Sequence, residues 1–199
     1  MSKGKWIALG IIVVALLFTW SSYNGLVNRD EAVNSGWSEY QNQIKRRNDL
    51  IPNLVSTVKG YAAHESGVFE QVTEARAKVG QAVNIDVAKL ANNPMLQKKL
   101  LEAQQSLNAS LGRLIAVAEN YPQLKADQVF LKLQDELAGT ENRIAVARGR
   151  AIKATQDFNR YRRGFPTNIV AGVTGFERKQ YYEASAEEQR VPTVDFGKR

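Results

Sequence analysis

The sequence predicts an all-α protein: an antiparallel four-helix bundle of long helices, continuous with an N-terminal transmembrane helix. Apolar and aromatic residues recur at alternating steps of three and four from Tyr23 to Tyr61, and again from Phe130 to Phe165. This spacing places them on one stripe of each helix, at the repeat of a packed bundle. No segment shows the two-residue alternation of a β-strand. The links between helical segments are short, which favours antiparallel neighbours.

Residues 1–23 form the predicted membrane anchor. The segment between two tryptophans is uncharged, and with Tyr23 included it reaches 18 residues, the short end of what spans a bilayer core of about 30 Å. A cleaved signal peptide is the alternative, but no small-x-small cleavage site follows, and the helical stripe starts at Tyr23. We therefore expect a retained single-pass anchor. The representative lipid-facing residues are Trp6, Ile12, Leu16 and Trp20.

Basic residues on either side of this segment indicate its orientation. Lys3 and Lys5 precede it, whereas Arg29 is the only basic residue within about 15 residues after it. Since Lys and Arg are retained on the cytoplasmic side, we expect the N-terminus in the cytoplasm and the bundle outside.

Residues 24–164 form the predicted bundle and residues 165–199 an irregular tail. The first helix runs to Tyr61 and contains Pro52, where we expect a kink because proline removes one backbone hydrogen bond. Caps and breakers delimit the others. The second helix takes Val68 to about Val83; Asn93 and Pro94 start the third, which ends before Tyr121-Pro122; Asp127 caps the fourth, which ends before Gly164.

Arg47 interrupts the apolar stripe of the first helix. A buried arginine without a partner is costly. Arg47 lies 23 residues after Asn24, and Glu141 lies 23 residues before Gly164, so antiparallel first and fourth helices bring them level. We predict an ion pair between Arg47 and Glu141 across the two helices.

The net charge of +7 is concentrated near the end of the fourth helix. The antiparallel topology returns this end to the membrane, where basic residues attract anionic lipid by about 1 kcal/mol each. The alternative is that arginines beside the stripe, such as Arg143, Arg148, Arg150 and Arg162, pair with acids on neighbouring helices. The predicted lipid contacts are Arg160, Arg162, Arg163 and Phe165.

The composition excludes several kinds of chemistry. The chain has no cysteine, and His64 is its one histidine, so it has neither a disulfide framework nor a His- or Cys-rich metal site. No phosphate-binding loop, dinucleotide fingerprint or serine-hydrolase motif occurs. We expect no cofactor, no metal, no enzymatic activity and no nucleic-acid binding.

Several motifs identify the sequence as similar to the LemA family of bacterial membrane proteins. The most specific is the run from Lys45 to Val55, followed by Val58–Glu65; further matches are Ala118–Pro122, Gly139–Ile144 and Tyr181–Glu183. The resemblance implies a single-pass anchor in the bacterial inner membrane and a bundle of long helices, but no established activity. The motif residues are Trp37, Arg46, Arg47, Asp49, Leu50, Ile51, Pro52, Asn53, Tyr61, His64 and Glu65.

Three functional hypotheses follow. The first is a non-enzymatic protein that self-associates or scaffolds envelope proteins, because a short second helix leaves a stripe of the first helix uncovered near Val33, Trp37 and Tyr40. The second is a membrane-surface binding or remodelling protein that uses residues 160–176. The third is a membrane-protease cofactor, or an enzyme, that uses Arg46, Asp49 and His64. We expect membrane lipids and copies of the chain as partners.

Overall fold

A computed structural model describes residues 3–181, and this part of the chain is helical without strands. The predicted all-α fold class is therefore confirmed. The helices within these residues are α1 (Lys3–Tyr61), α2 (Ser66–Val83), α3 (Val87–Asn92), α4 (Pro94–Ala118), α5 (Pro122–Lys125), α6 (Gln128–Arg163) and α7 (Thr167–Thr174).

Helix α1 joins the apolar N-terminal segment to the bundle without a break. It contains 59 residues and continues through Pro52 as one helix. At about 1.5 Å per residue it is roughly 90 Å long. Its first part is apolar on all sides and almost entirely exposed, whereas its second part buries one stripe of residues, from Leu26 through Val58. The two halves are therefore parts of one continuous helix.

Local signals fix the beginnings of the later helices. The Asn93 side chain accepts backbone hydrogen bonds from Met95 and Leu96, and Pro94 occupies the first turn of α4. The Asp127 carboxylate accepts in the same way from Val129 and Phe130 at the start of α6. Both caps satisfy backbone donors that the helix itself cannot pair.

Helices α1 and α6 pack antiparallel along most of α6. Three contacts define the register: Tyr61 with Asp127 at one end, Gly36 with Ala151 in the middle and Gly25 with Tyr161 at the other end. Each step along α1 is matched by an equal step back along α6. The glycine at position 36 allows close approach, because a Cβ there would lie 3.0 Å from the Cα of Ala151.

Helices α2, α3 and α4 complete the bundle around the membrane-distal half of α1. The Gln41 amide donates to the Ile85 carbonyl oxygen (2.8 Å), and the Gln104 amide donates to the Tyr40 hydroxyl (2.9 Å). Four helices therefore surround the core between Tyr40 and Tyr61, while α1 and α6 continue as a pair toward the apolar N-terminal segment.

The stripe near Val33, Trp37 and Tyr40 is not uncovered. These side chains are 0%, 1% and 1% exposed in the single chain. Helix α6 covers this part of α1 closely because its own stripe is made of alanines there, including Ala147 and Ala151. The prediction that this stripe is a contact surface for other proteins is therefore wrong.

The stretch after α6 is not irregular throughout. Residues Thr167–Thr174 form α7, which ends at Gly175 in the left-handed conformation (φ 77°) that glycine adopts without strain. The prediction of an irregular tail is wrong for this stretch; its part beyond residue 181 lies outside the described residues. Phe165, the last stripe position predicted for the fourth helix, lies between α6 and α7 and is 84% exposed.

Candidate functional site at the membrane-proximal end

The family-motif residues are distributed over the C-terminal half of α1 and the turn after it, and they divide between the core and the surface. Trp37, Arg47 and Ile51 are buried, and Leu50 is half-buried. Arg46, Asp49, Pro52, Asn53, Tyr61 and His64 are exposed, and Glu65 is half-buried.

The structure does not bring Arg46, Asp49 and His64 together. Arg46 and Asp49 share one face of α1, but Asp49 lies twelve residues, roughly 18 Å, below the end of the helix at Tyr61, and His64 follows in the turn beyond it. A joint catalytic or cofactor role for the three side chains finds no support in this geometry.

The motif residue Tyr61 joins the end of α1 to the start of α6. Its hydroxyl donates to Oδ2 of Asp127 (2.8 Å). This hydrogen bond and the negative charge of Asp127 raise the pKa of Tyr61 above its ordinary value of 10.0. Backbone donation from Phe130, together with the Tyr61 hydroxyl, lowers the pKa of Asp127 below 3.8. The pair therefore fastens the end of α1 to the cap of α6.

Arg47 and Glu141 are in contact across α1 and α6, in the register expected from the antiparallel count. Nη1 of Arg47 donates to Oε2 of Glu141 and to the Asn108 side-chain oxygen (2.9 Å). Arg47 is 2% exposed, whereas the Glu141 side chain is 52% exposed. This arginine ties three helices together in the middle of the bundle, so its role is structural.

The predicted lipid-contact arginines at the end of α6 have different surroundings. Arg162 is half-buried, and its Nε donates to the Phe176 carbonyl oxygen (2.5 Å), so it holds the segment after α7. Arg160 and Arg163 are exposed at the same end of α6. The structure thus leaves two of the three predicted arginines exposed to solvent.

The segment after α7 folds back onto the α1–α6 pair. The Phe176 ring packs at its edge against Tyr23, 6.0 Å between centroids. Lys179 forms an ion pair with Asp30 (2.7 Å), and the Asn159 side chain exchanges two hydrogen bonds of 2.9 Å with the Lys179 backbone. These contacts keep α7 close to α1.

Helix α7 lies beside the anchor segment of α1. An apolar cleft of about 660 Å³ separates the two, and α7 lines it with Ile169 and Val170. The outer side chains of this region are apolar and exposed: Phe165 (84%), Ile169 (57%) and Val173 (83%). Helix α7 is therefore a second apolar segment, and it lies next to the anchor segment of α1. The cleft is lined on the α1 side by Ile7, Gly10, Ile11, Val14, Ala15, Phe18 and Thr19.

Sequence reasoning missed two features of this end. Gly25 allows the Tyr161 ring to pack on α1, since a Cβ there would lie 2.2 Å from the Tyr161 hydroxyl. The Arg29 guanidinium then stacks on the same ring, 3.8 Å from its centroid, and donates to the Gly25 carbonyl oxygen (3.1 Å). The sequence signal that could have predicted this packing is Gly25 one turn before Arg29, in the helix that continues from the anchor.

Comparison with known proteins now decides the relationship. Residues 36–196 match the model of the LemA family. The chain belongs to the LemA family. This match confirms the resemblance drawn from the motifs around Arg47.

Curated relatives of this LemA-family chain include magnetosome proteins. It is 30% identical over 175 residues to Magnetosome protein MamQ 1 and to MamQ 2 of Paramagnetospirillum magneticum; each match covers 81% of this chain and 64% of the relative. It is 27% identical over 163 residues to Protein LemA of Metamycoplasma hominis, covering 81% of this chain and 69% of that protein. The chain thus spans less than two thirds of the length of the MamQ relatives.

The apolar N-terminal segment of α1 bears on whether the protein is associated with a membrane. Within residues 3–181, one helix, α1, is long and apolar enough to cross a membrane. Together with the family relationship, this helix makes the chain a membrane-associated protein.

Proposed function

We propose that this protein is a non-enzymatic, membrane-anchored helical protein that organises the bilayer surface at the base of its bundle. The carrying observation is the position of α7, whose apolar residues line a cleft with the anchor half of α1. One chain thereby presents two apolar segments to one leaflet: a spanning helix and an eight-residue helix beside it. A short apolar insertion of this kind expands the leaflet that it enters.

The bundle supports this role by fixing the geometry. Because α1 is continuous and α6 returns along it, α7 is held at a set distance from the anchor through Phe176 and Lys179. A rigid attachment makes the insertion depth a property of the fold, which a flexible tail would not provide.

The cysteine-free sequence allows a direct test of the insertion. The full chain with Val173→Cys, reconstituted in liposomes, carries an environment-sensitive fluorophore; Met95→Cys, 79% exposed on the distal part of the bundle, is the matched control. We expect spin-labelled acyl chains to quench the label at position 173 and not at position 95. Equal quenching at both positions would contradict the proposal.

The effect on the bilayer is tested with vesicle shape. Wild-type protein at increasing protein-to-lipid ratio is expected to reduce vesicle diameter in electron cryomicroscopy. The variant Ile169→Asp/Val173→Asp opposes insertion of α7, since a carboxylate at hydrocarbon depth is costly; it is expected to remain anchored through α1 and to leave the diameter unchanged. Identical diameters with both proteins would refute a remodelling role.

We further propose that the protein lies in the bacterial inner membrane with its N-terminus in the cytoplasm and its bundle outside. The support is the Lys3 and Lys5 leader against the single Arg29 in the residues that follow the segment. A membrane-impermeant maleimide should label the Met95→Cys variant in intact spheroplasts. Labelling only after lysis would reverse the orientation.

Self-association or scaffolding of envelope proteins is a second proposal. Its original contact stripe is buried, so any such assembly would use apolar residues at the anchor level, of which Phe165 and Val173 are the most exposed on the α7 side. Oxidative cross-linking of the Val173→Cys variant in native membranes, with Met95→Cys as control, is expected to give dimers at position 173. Monomers at both positions would remove this surface.

A further inference from the structure

We propose that the membrane-proximal end binds one anionic phospholipid, with its phosphate at Arg29 and Arg160 and one acyl chain in the cleft between α7 and the anchor half of α1. The proposal rests on the membrane anchoring in the proposed function and names the lipid that this surface selects.

The phosphate end of the site is a basic groove of about 810 Å³ between α1 and α6. Four of its lining residues are cationic: Arg29, Arg150, Lys153 and Arg160. Two of them are neutralised by carboxylates, Arg150 by Glu39 (2.9 Å) and Lys153 by Asp157 (2.9 Å).

Arg29 and Arg160 keep their charge uncompensated within the described residues. Neither forms an ion pair with a described carboxylate. The Arg29 side chain is held on the Tyr161 ring and bonded back to the Gly25 carbonyl oxygen, so its guanidinium is displaced from its own backbone toward the anchor segment. A preorganised guanidinium offers several donors to phosphate oxygens, which makes it a strong phosphate ligand.

The acyl end of the site is the apolar cleft of about 660 Å³ beside α7. Its lining is aliphatic or aromatic except for Thr19, and the Thr19 hydroxyl already donates to the Ala15 carbonyl oxygen (2.8 Å). The cleft therefore offers no unpaired side-chain donor to water, and a hydrocarbon chain is the ligand whose chemistry matches it.

The two cavities join at one corner of the chain. Phe165 and Thr167 line the basic groove, and Pro166 between them lines the apolar cleft. On α1 the cavities also share one face, because Phe18 and Arg29 are eleven residues apart, about three turns and roughly 16 Å. The cleft itself extends along α1 from Ile7 to Thr19, twelve residues and roughly 18 Å, which is comparable to one leaflet of the hydrocarbon core, about 15 Å. A phosphate and its attached chain therefore fit the pair of cavities in one orientation.

A free phosphate ion would share the headgroup chemistry but would leave the cleft empty. The experiment therefore uses the full chain in a neutral detergent, with native mass spectrometry of added phosphatidylglycerol or phosphatidylcholine, and with inorganic phosphate as competitor. We expect the wild-type chain to retain one phosphatidylglycerol and to retain phosphatidylcholine much more weakly.

Two variants test the two ends of the site separately. Arg29→Gln/Arg160→Gln removes both uncompensated charges and is expected to weaken phosphatidylglycerol binding by about 30-fold, from about 1 kcal/mol per basic residue; Arg163→Gln, an exposed arginine of the same helix end outside the groove, is the control. Gly10→Leu fills the cleft, and Gly4→Leu is the matched control, because a Cβ meets nothing within 4 Å at either position and only Gly10 lines the cleft.

The proposal is supported if the double variant and Gly10→Leu lose phosphatidylglycerol while both controls retain it, with helix content unchanged by circular dichroism. Equal retention of both lipids, or wild-type binding by the double variant, overturns it. Displacement of phosphatidylglycerol by millimolar inorganic phosphate, without an effect of Gly10→Leu, assigns the groove to free phosphate and also overturns the lipid site. A chain that floats with liposomes but lacks lipid preference refutes this site alone, whereas failure to float refutes the membrane role itself.

Discussion

Neutralising Glu141 is expected to destabilise the bundle, because it removes the carboxylate that is paired with the buried Arg47. In the native chain Nη1 of Arg47 donates to Glu141 and to Asn108, while Nε and Nη2 have no hydrogen-bond partner among residues 3–181. Glu141→Gln replaces a charged acceptor with a neutral one at the same position. The Arg47 charge then remains 98% buried without a countercharge.

The size of the effect follows from the exposure of each partner. A hydrogen bond to a charged group contributes about 1.5–3 kcal/mol. Water reaches the Glu141 side chain, which is 52% exposed, so the value belongs at the lower end, about 1.5 kcal/mol. For a chain of this size, that loss lowers the melting temperature by about 3–6 °C.

The assay is thermal unfolding of the detergent-solubilised full chain, followed by circular dichroism at one scan rate. Glu136→Gln is the control, because Glu136 is an exposed acid on the same helix with no ion pair to a described residue. In an Arg47→Met background, Glu141→Gln is expected to cost nothing measurable, since the charge that needed the carboxylate is gone. Equal losses in both backgrounds would refute the pair as the reason.

Three further predictions use the same melting assay. Gly25→Ala is expected to lower the melting temperature, because its Cβ would collide with Tyr161. Gly149→Ala is expected to raise the melting temperature and to increase the free energy of unfolding by up to about 1 kcal/mol, since its Cβ meets nothing within 4 Å. A higher melting temperature for both variants would contradict the close packing of Tyr161 on Gly25. Asp127→Ala should lower the melting temperature, because it removes the side-chain cap of α6, and an unchanged melting temperature would contradict the cap. Tyr61→Phe should lower stability at neutral pH. The fold lowers the pKa of Asp127, so the stability difference between Tyr61→Phe and the wild type should vanish as pH falls through the folded-state pKa of Asp127, below 3.8. The fold raises the pKa of Tyr61, so the same difference should vanish as pH rises through the folded-state pKa of Tyr61, above 10.0. A stability difference that does not change with pH would exclude the hydrogen bond.

Much of the candidate site could be predicted because its causes are local or follow from simple counting. The arginines of residues 160–163 and the apolar residues after them are visible in the sequence, and the antiparallel topology returns them to the membrane. The side-chain contacts of the arginines at this end of the bundle could not be predicted. Arg162 is engaged by the Phe176 carbonyl, and Arg29 gains its position from Tyr161, which is more than 100 residues away.

The amino-acid order alone determined the helical class, the continuity of α1, the caps at Asn93 and Asp127, and the level of Arg47 with Glu141. These depend on periodicity, on side-chain hydrogen bonds within one turn and on equal counting along two antiparallel rods. The tertiary structure decided that α6 covers Val33, Trp37 and Tyr40 and that α7 lies beside the anchor. An eight-residue helix is too short to be stable alone, so its existence and place depend on contacts that the following residues Phe176 and Lys179 make with the distant Tyr23 and Asp30, which no local pattern records.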